Sequence, residues 1–97
     1  MAFEVLVHKQ AKKDLANLPV ERINEIDRFL NEILPNDPFV DGVDKFPLHG
    51  NFKGWAKIRF GDYRMIYQVH KERSLVLVAF IAQRGEVYKR LKAYLRG

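Results

Sequence analysis

Cysteine is absent from the 97-residue sequence. Its absence excludes disulfides, thiolate nucleophiles and cysteine-ligated zinc sites. Long apolar runs are also absent: the longest covers the eight residues 75–82, whereas a transmembrane helix needs about 20. Glu4 and His8 interrupt the apolar residues near the start, where a signal peptide would carry an unbroken core. We therefore expect a location in the cytoplasm and no membrane partner.

Histidine is scarce, with three residues in the chain. His8, His49 and His70 lack the spacing of metal ligands. The sequence has no phosphate-cradling glycine-rich loop, no HExxH motif and no nucleophile triad. We expect no metal, no cofactor and no small-molecule ligand. His49, just before the predicted hairpin, is kept as an alternative acid–base group.

Acidic residues are scarce in the second half of the chain. Residues 45–97 carry twelve Lys/Arg and three Asp/Glu, for a net charge of +9, whereas residues 1–44 carry five and nine, for −4. A basic half in a small domain favours a polyanionic partner, nucleic acid first. The alternative is a solvated basic surface without a ligand, and charge alone does not separate the two.

The spacing of apolar residues predicts one α+β domain over residues 1–97. We expect an N-terminal strand and a helical hairpin packed on an antiparallel β-sheet, with a short C-terminal helix. Pro19 and Pro35 end the two helices of the hairpin. Residues 75–82 are apolar on both faces, which predicts a central strand covered by helices on at least one side. The predicted elements are a strand at 3–7, helices at 9–18 and 20–34, a short strand near 45–48, strands at 55–60, 63–69 and 75–82, and a helix at 86–95.

Residues 55–67 carry the most informative pattern. If residues 61–62 form a two-residue hairpin loop, Arg59 pairs with Arg64 on the adjacent strand. Paired residues point to the same face, so Lys57, Arg59 and Arg64 share a face opposite the apolar residues, and the arginine pair repels by up to roughly 1 kcal/mol. Since arginine binds phosphate through two parallel hydrogen bonds, the cluster predicts an anion site. The alternative is that the side chains splay into solvent, and a longer loop would disperse them.

A second candidate lies where the predicted central strand ends and the last helix begins, a common place for functional residues. Arg84 adds a fourth cation there. Tyr88 offers a ring that stacks on a base or a hydroxyl that binds a phosphate. The alternative is that the two are an ordinary cap and a packing residue.

These motifs resemble those of the RelE/ParE toxin superfamily of type II toxin–antitoxin systems, and of its RelE branch in particular. The matching segments follow the family's order over nearly the whole chain: Pro-Leu-His-Gly-Asn-Phe-Lys-Gly-Trp at 47–55, Lys-Ile-Arg at 57–59, Asp-Tyr-Arg-Met-Ile-Tyr at 62–67 and Arg-Gly-Glu-Val-Tyr at 84–88. The resemblance implies a RelE-like fold and a ribosome-dependent endoribonuclease that cleaves mRNA in the A site by attack of the 2′-hydroxyl. It also implies a cognate antitoxin encoded by an adjacent gene, and a prokaryotic cell.

The resemblance also assigns residues to roles. The implied catalytic residues are Lys57, Arg59, Arg64, Arg84 and Tyr88. The expected RNA-binding residues are Lys53, Lys57, Arg59 and Arg64, with the ribosome and mRNA as partners. Phe46 stands where YoeB-like members carry a catalytic glutamate, so their carboxylate mechanism is not expected. Two alternatives stay open: a ParE-like inhibitor of DNA gyrase, and a nucleic-acid-binding module without catalysis.

Overall fold

The computed structural model describes residues 2–39, the backbone of 43–45, and residues 54–96. Lys53, His49 and Phe46 lie outside the described residues. The predicted α+β architecture is confirmed, and each strand of the meander ends within one residue of its predicted end. The elements in chain order are β1 (Glu4–Val7), α1 (Lys9–Ala16), α2 (Val20–Arg28) with a π-helical continuation (Phe29–Ile33), β2 (Val43–Lys45), β3 (Trp55–Phe60), β4 (Tyr63–His70), a 3₁₀ turn (Lys71–Arg73), β5 (Leu75–Gln83), a second 3₁₀ turn (Arg84–Glu86) and α3 (Val87–Arg96).

The strands form one sheet in the order β1-β5-β4-β3-β2. The pairs β2–β3, β3–β4 and β4–β5 are antiparallel, and β1 joins the edge of the sheet parallel to β5. The N-terminal strand therefore adds one parallel pairing to the predicted antiparallel sheet. The short strand expected near residues 45–48 is found at Val43–Lys45. Strand β5 lies between two others, as its two apolar faces predict.

Helices cover both faces of this sheet. The larger core joins Ala11 of α1 and Ile26 of α2 to one face of the strands, and the smaller core joins Val87 and Leu91 of α3 to the other. The first face presents Ala56, Ile58, Phe60, Met65, Tyr67, Val69, Val76, Val78 and Ile81, and the second presents Trp55, Ile66, Ala79, Phe80 and Ala82. Across the described segments, no helix combines the length and the apolar character needed to cross a membrane.

The end of the helical hairpin departs from the predicted regular helix. The Leu34 amide donates to the Phe29 carbonyl, five residues back, at 2.8 Å. This wider turn aligns Phe29 and Leu34 on the sheet-facing side, where both are buried, while Ile33 is 37% exposed. A regular 3.6-residue stripe would bury Ile33 as well. The π-helical segment therefore turns Ile33, which the helical pattern places in the core, toward solvent.

Tyr67 anchors the chain that follows the helical hairpin. Its ring is fully buried in the larger core, and its hydroxyl donates to the Pro38 carbonyl at 2.8 Å. Burial raises the pKa of this hydroxyl far above its ordinary value, and the Asp37 carboxylate raises it further. The neutral phenol is thus the form that the fold requires.

Candidate functional site

The β3–β4 hairpin has the register that the sequence predicts. Arg59 is paired with Arg64, and Phe60 with Tyr63, so residues 61–62 form a two-residue loop. Gly61 has a φ of +62°, which both favoured two-residue hairpin turns need at their first position. The apolar partners on the opposite face enter the larger core. The like-charge pair at Arg59 and Arg64 is therefore a feature of the fold.

Arg64 is held by the turn that precedes it. Its Nη1 donates to the Gly61 carbonyl at 2.9 Å and to the Tyr63 carbonyl at 3.0 Å. The side chain is half-buried there, whereas Arg59 is exposed. Among the described residues, Nε and Nη2 of Arg64 make no hydrogen bond, so two parallel donors stay available to an anion. The expectation that these side chains splay into solvent fits Arg59 and does not fit Arg64.

Lys57 and Tyr88 meet across the same face of the sheet. The Lys57 Nζ lies 5.6 Å from the centre of the Tyr88 ring, within the range of a cation–π contact. Tyr88 is the second residue of α3 and is 50% exposed. Burial of Val87 and Leu91 fixes the rotation of α3 and turns Tyr88 outward beside β3. The ring therefore lines the site and also presents surface to solvent.

Arg84 joins the site through its main chain. Its amide donates to the Asp62 carbonyl at 3.0 Å, which links the end of β5 to the hairpin turn. The side chain is exposed, at the edge of a surface depression of about 420 Å³ that Asp62, Gln83 and Gly85 also line. Arg64 and Arg84 thus both donate hydrogen bonds to the hairpin turn, Arg64 from its side chain and Arg84 from its backbone amide.

The five predicted catalytic residues divide into two groups within the described structure. Lys57 and Tyr88 are in contact, and Arg59, Arg64 and Arg84 surround the hairpin turn. Across residues 2–39 and 54–96, these three arginines have no carboxylate within ion-pair distance, since the ion pairs there join other residues. Within the described residues the three arginines form a cationic surface without a carboxylate partner, and the Tyr88 ring lies at its border. Such a surface suits a phosphodiester and an unstacked base.

Two of the histidines have local structural contacts. The His8 Nδ1 accepts from the Gln10 amide at 3.0 Å and caps α1, and its ring meets Tyr94 edge to face at 5.5 Å. The His70 Nε2 lies 3.1 Å from the Gln68 Oε1. Neither belongs to the cationic surface, in agreement with the low weight that the sequence gives them.

The structure adds two contacts that the sequence did not indicate. Asp14 of α1 accepts from the Ile81 amide at 3.0 Å and from Arg90 at 2.8 Å, and so ties α3 to α1 and β5. Arg22 of α2 lies directly against Gly61 in the hairpin turn. Both contacts join residues that are distant in sequence. Asp14 and Arg22 occupy ordinary polar positions on their helices, so no local pattern in the sequence indicates these contacts.

Comparisons with known proteins agree with this fold. The family model of the ParE toxin of type II toxin–antitoxin systems (parDE) matches residues 5–88. Toxin RelG of Mycobacterium tuberculosis is 27% identical over 90 residues, which are 93% of this chain and 100% of that protein. The RelE–RelB complex of Pyrococcus horikoshii OT3 contains a chain that is 28% identical, with a TM-score of 0.63 over 88% of this chain and 98% of that one. A mutant of the E. coli toxin RelE in the free state is 24% identical, with a TM-score of 0.72 over 92% of this chain and 93% of that one.

These matches confirm the superfamily that the motifs indicated. The family match covers far more than half of the chain and spans the hairpin, Arg84 and Tyr88. The E. coli match is close in shape, and at its level of identity it supports the fold alone. The chain belongs to the ParE toxin family of type II toxin–antitoxin systems, within the RelE/ParE superfamily.

Proposed function

We propose that this toxin is an endoribonuclease that cleaves mRNA in the ribosomal A site, in the cytoplasm of a prokaryotic cell. The observation that carries the proposal is the cationic surface, on which Arg59, Arg64 and Arg84 have no carboxylate partner among the described residues. In the reaction, the 2′-oxygen bonds to the adjacent phosphorus, the bond from phosphorus to the 5′-oxygen breaks, and a 2′,3′-cyclic phosphate forms. The 2′-hydroxyl loses a proton, and the leaving 5′-oxygen gains one.

Charge stabilisation is the main contribution that the described residues offer. The phosphorane-like transition state gathers negative charge on the non-bridging oxygens, and preorganised guanidinium groups stabilise it. Arg64 is preorganised because the turn carbonyls hold its Nη1. Lys57 lies beside Tyr88, and in this proposal the half-exposed Tyr88 ring stacks on an unpaired base of the codon. Lys53 is proposed to add a phosphate contact ahead of the hairpin.

Acid–base equipment is sparse on this surface. Arginine does not deprotonate near neutral pH, and none of the five proposed catalytic residues is a histidine or a carboxylate. Most of the rate must then come from positioning the RNA in line for attack. Free RNA does not hold that bent shape by itself. We therefore infer that the ribosome supplies it by presenting the codon.

Primer extension in a purified translation reaction tests this directly. The protein should cut a translated message at A-site codons and cut the same RNA without ribosomes far more slowly. Arg28→Ala is the matched control, because Arg28 is exposed on α2 and pairs with Glu32 away from the hairpin. Equal cleavage of free and ribosome-bound RNA would contradict the positioning argument and would direct attention to His49 as an acid–base group.

An antitoxin partner forms part of the same proposal. The Pyrococcus horikoshii relative was solved as a complex of RelE with RelB. An acidic, partly helical antitoxin would complement the +9 half of this chain, and its disordered segment would fold on binding. We expect the small gene adjacent to this one to encode it. Co-expression should relieve toxicity and yield a complex that co-purifies, and failure of both would contradict the assignment.

Inhibition of DNA gyrase is the alternative, because the family model that matches is named for ParE. A gyrase inhibitor would block supercoiling by purified gyrase and would cause DNA damage and filamentation in cells. We expect translation to stop first, with supercoiling unaffected. Inhibited gyrase with an intact message would favour the alternative, and neither effect would favour a binding module without catalysis.

A further inference from the structure

The hairpin turn that carries Arg64 is contacted from its other side by Arg22 of α2. A Cβ built on Gly61 would lie 2.7 Å from the Arg22 Cζ and 2.9 Å from its Nε, closer than real Cβ atoms approach other groups. The Arg22 guanidinium therefore fills the space into which any side chain at position 61 would project. Glycine is favoured there by its positive φ, and its lack of a Cβ lets the Arg22 guanidinium approach the turn this closely.

Arg22 is itself held in place. Its Nη1 pairs with the Glu25 Oε1 at 2.8 Å, one helical turn further along α2. Its side chain is 37% exposed, about half the 78% of Arg28, which has a similar ion pair on the same helix. The contact with Gly61 covers part of the Arg22 guanidinium, in line with its lower exposure.

The other side of the same turn holds the cationic surface. Arg64 Nη1 donates to the Gly61 and Tyr63 carbonyls, and the Arg84 amide donates to the Asp62 carbonyl. The orientation of the Gly61 peptide therefore decides where the Arg64 guanidinium lies. The Arg22 guanidinium lies where a Gly61 Cβ would stand, and a group packed at that position restricts rotation of the Gly61 peptide. Arg22 thus bears on Arg64 through a single residue.

We propose that Arg22 is a positioning residue for the cationic surface: it fixes the hairpin turn whose carbonyls hold Arg64. The inference rests on the proposed cleavage for its functional consequence, and on the contacts at Gly61 for its structural one. Arg22 touches no RNA in this account. The competing possibility, in which Arg22 binds phosphate directly, is an outcome of the test below.

The structural part is tested in the free protein, without RNA. The Nε–Hε signal of Arg64 in ¹⁵N-labelled protein is assigned by its loss in Arg64→Lys, and its heteronuclear NOE reports the order of the side chain on the picosecond-to-nanosecond scale. Arg22→Ala should lower that NOE to the value of the exposed Arg73, and Arg28→Ala should leave it unchanged. Arg22→Lys keeps the charge but lacks the flat group, so it should resemble Arg22→Ala. An unchanged NOE in both Arg22 variants would overturn the proposal.

The functional part uses cleavage on programmed ribosomes. Arg22→Ala should lower kcat by roughly tenfold, since small misplacements of catalytic groups have effects of this order or larger, while KM changes by less than about twofold. Residual cleavage by Arg64→Ala is followed with excess protein over long times. Adding Arg22→Ala to that variant should lower the residual cleavage rate by less than about twofold, because the effects of residues that act as a unit are not additive. If Arg22→Ala raises KM, and if the fold losses of Arg22→Ala and Arg64→Ala multiply in the double variant, the proposal would be overturned in favour of direct phosphate binding by Arg22.

The two parts separate the possible failures. If the wild-type protein does not cleave ribosome-bound message, the proposed function is wrong, and the NOE experiment still decides whether Arg22 orders Arg64. If cleavage occurs and Arg22→Ala retains the wild-type kcat, positioning by Arg22 is refuted and the proposed function stands.

Discussion

Removal of the Asp14 carboxylate should destabilise α3 more than removal of any exposed ion pair does. The Asp14 Oδ2 accepts from the Ile81 amide at 3.0 Å and from the Arg90 Nη2 at 2.8 Å. Ile81 lies on β5 beyond the four residues that pair with β1. The Asp14 carboxylate therefore accepts the hydrogen bond that the carbonyl of a neighbouring strand would otherwise accept from the Ile81 amide. The Arg90 guanidinium also lies 5.0 Å from the centre of the Phe80 ring. One side chain thus joins α1, β5 and α3.

The expected cost follows from these two hydrogen bonds. A hydrogen bond to a charged group contributes about 1.5–3 kcal/mol, and an unsatisfied main-chain donor adds a desolvation penalty. The Asp14 side chain is 14% exposed and the Arg90 side chain 33%, so solvent screens part of the ion pair. We expect Asp14→Ala to lower the free energy of unfolding by about 2–3 kcal/mol. That is a large share of the roughly 5–15 kcal/mol of a typical domain.

Urea unfolding followed by circular dichroism measures this loss. Glu32→Ala is the matched control, because Glu32 is 64% exposed and its partner Arg28 is 78% exposed, and such pairs contribute about 0.5 kcal/mol or less. Asp14→Asn keeps an acceptor for the Ile81 amide and loses the charge, so it should fall between the two. If Asp14→Ala costs no more than Glu32→Ala, the carboxylate does not hold α3 and the reasoning is refuted.

The same variant links stability to the site. Because α3 carries Tyr88 beside Lys57, a loosened helix should raise amide hydrogen exchange in α3 before it affects the larger core. Ribosome-dependent cleavage should fall at temperatures where the chain is still folded. Exchange that rises equally in α2 and α3 would indicate global destabilisation and no specific link to α3.

Three further predictions concern single side chains. Arg64→Ala should abolish cleavage in a standard primer-extension reaction and leave only a residual rate that is seen with excess protein over long times. It should lower the free energy of unfolding by no more than about 2 kcal/mol, because Arg64 is only half-buried and relief of its repulsion with Arg59 offsets part of the two lost carbonyl bonds; full cleavage would remove Arg64 from the site. Tyr88→Phe keeps the ring beside Lys57 and should leave the KM on programmed ribosomes unchanged, whereas Tyr88→Ala should weaken binding by about 1–3 kcal/mol and raise the KM. An equal rise in KM for both variants would assign the role in binding to the hydroxyl. Burial raises the pKa of Tyr67 in the folded chain, so its contribution to stability is complete below the ordinary tyrosine pKa of about 10 and is lost as pH rises above it; Tyr67→Phe should flatten this alkaline fall in urea titrations, and an unchanged slope would contradict the assignment.

The hairpin shows how much of the site the sequence contains. A two-residue loop at Gly61 sets the register, and the register decides which residues share a face. Both are local, so the pairing of Arg59 with Arg64 was predictable and is confirmed. The direction of each side chain on that face is not local. Arg64 turns back onto the loop carbonyls while Arg59 extends into solvent, and alternation along a strand does not distinguish these outcomes.

Long-range contacts explain the remaining differences. Asp14 and Arg90 are separated by 76 residues, and each occupies an unremarkable position on a helix with polar neighbours. The wide turn that buries Leu34 and exposes Ile33 depends on how the helix meets the sheet, and the apolar pattern fits a regular helix equally well. The sequence therefore predicts elements and register well, and it misses the contacts through which one element holds another.

The position of the cationic surface on this fold explains how a destabilising site is tolerated. Arg59 and Arg64 repel across β3 and β4, yet the partners on the opposite face of the same strands, Ile58 and Met65 among them, lie in the larger core. Because the register is set by the turn and by that core, the arginines cannot separate by a slip that would expose it. The like-charge pairing is therefore retained in the folded state, and we expect a phosphate bound between the two arginines to gain from it. Replacement of Arg59 by threonine should for this reason stabilise the chain and weaken its affinity for RNA, so stability and function should move in opposite directions at this position.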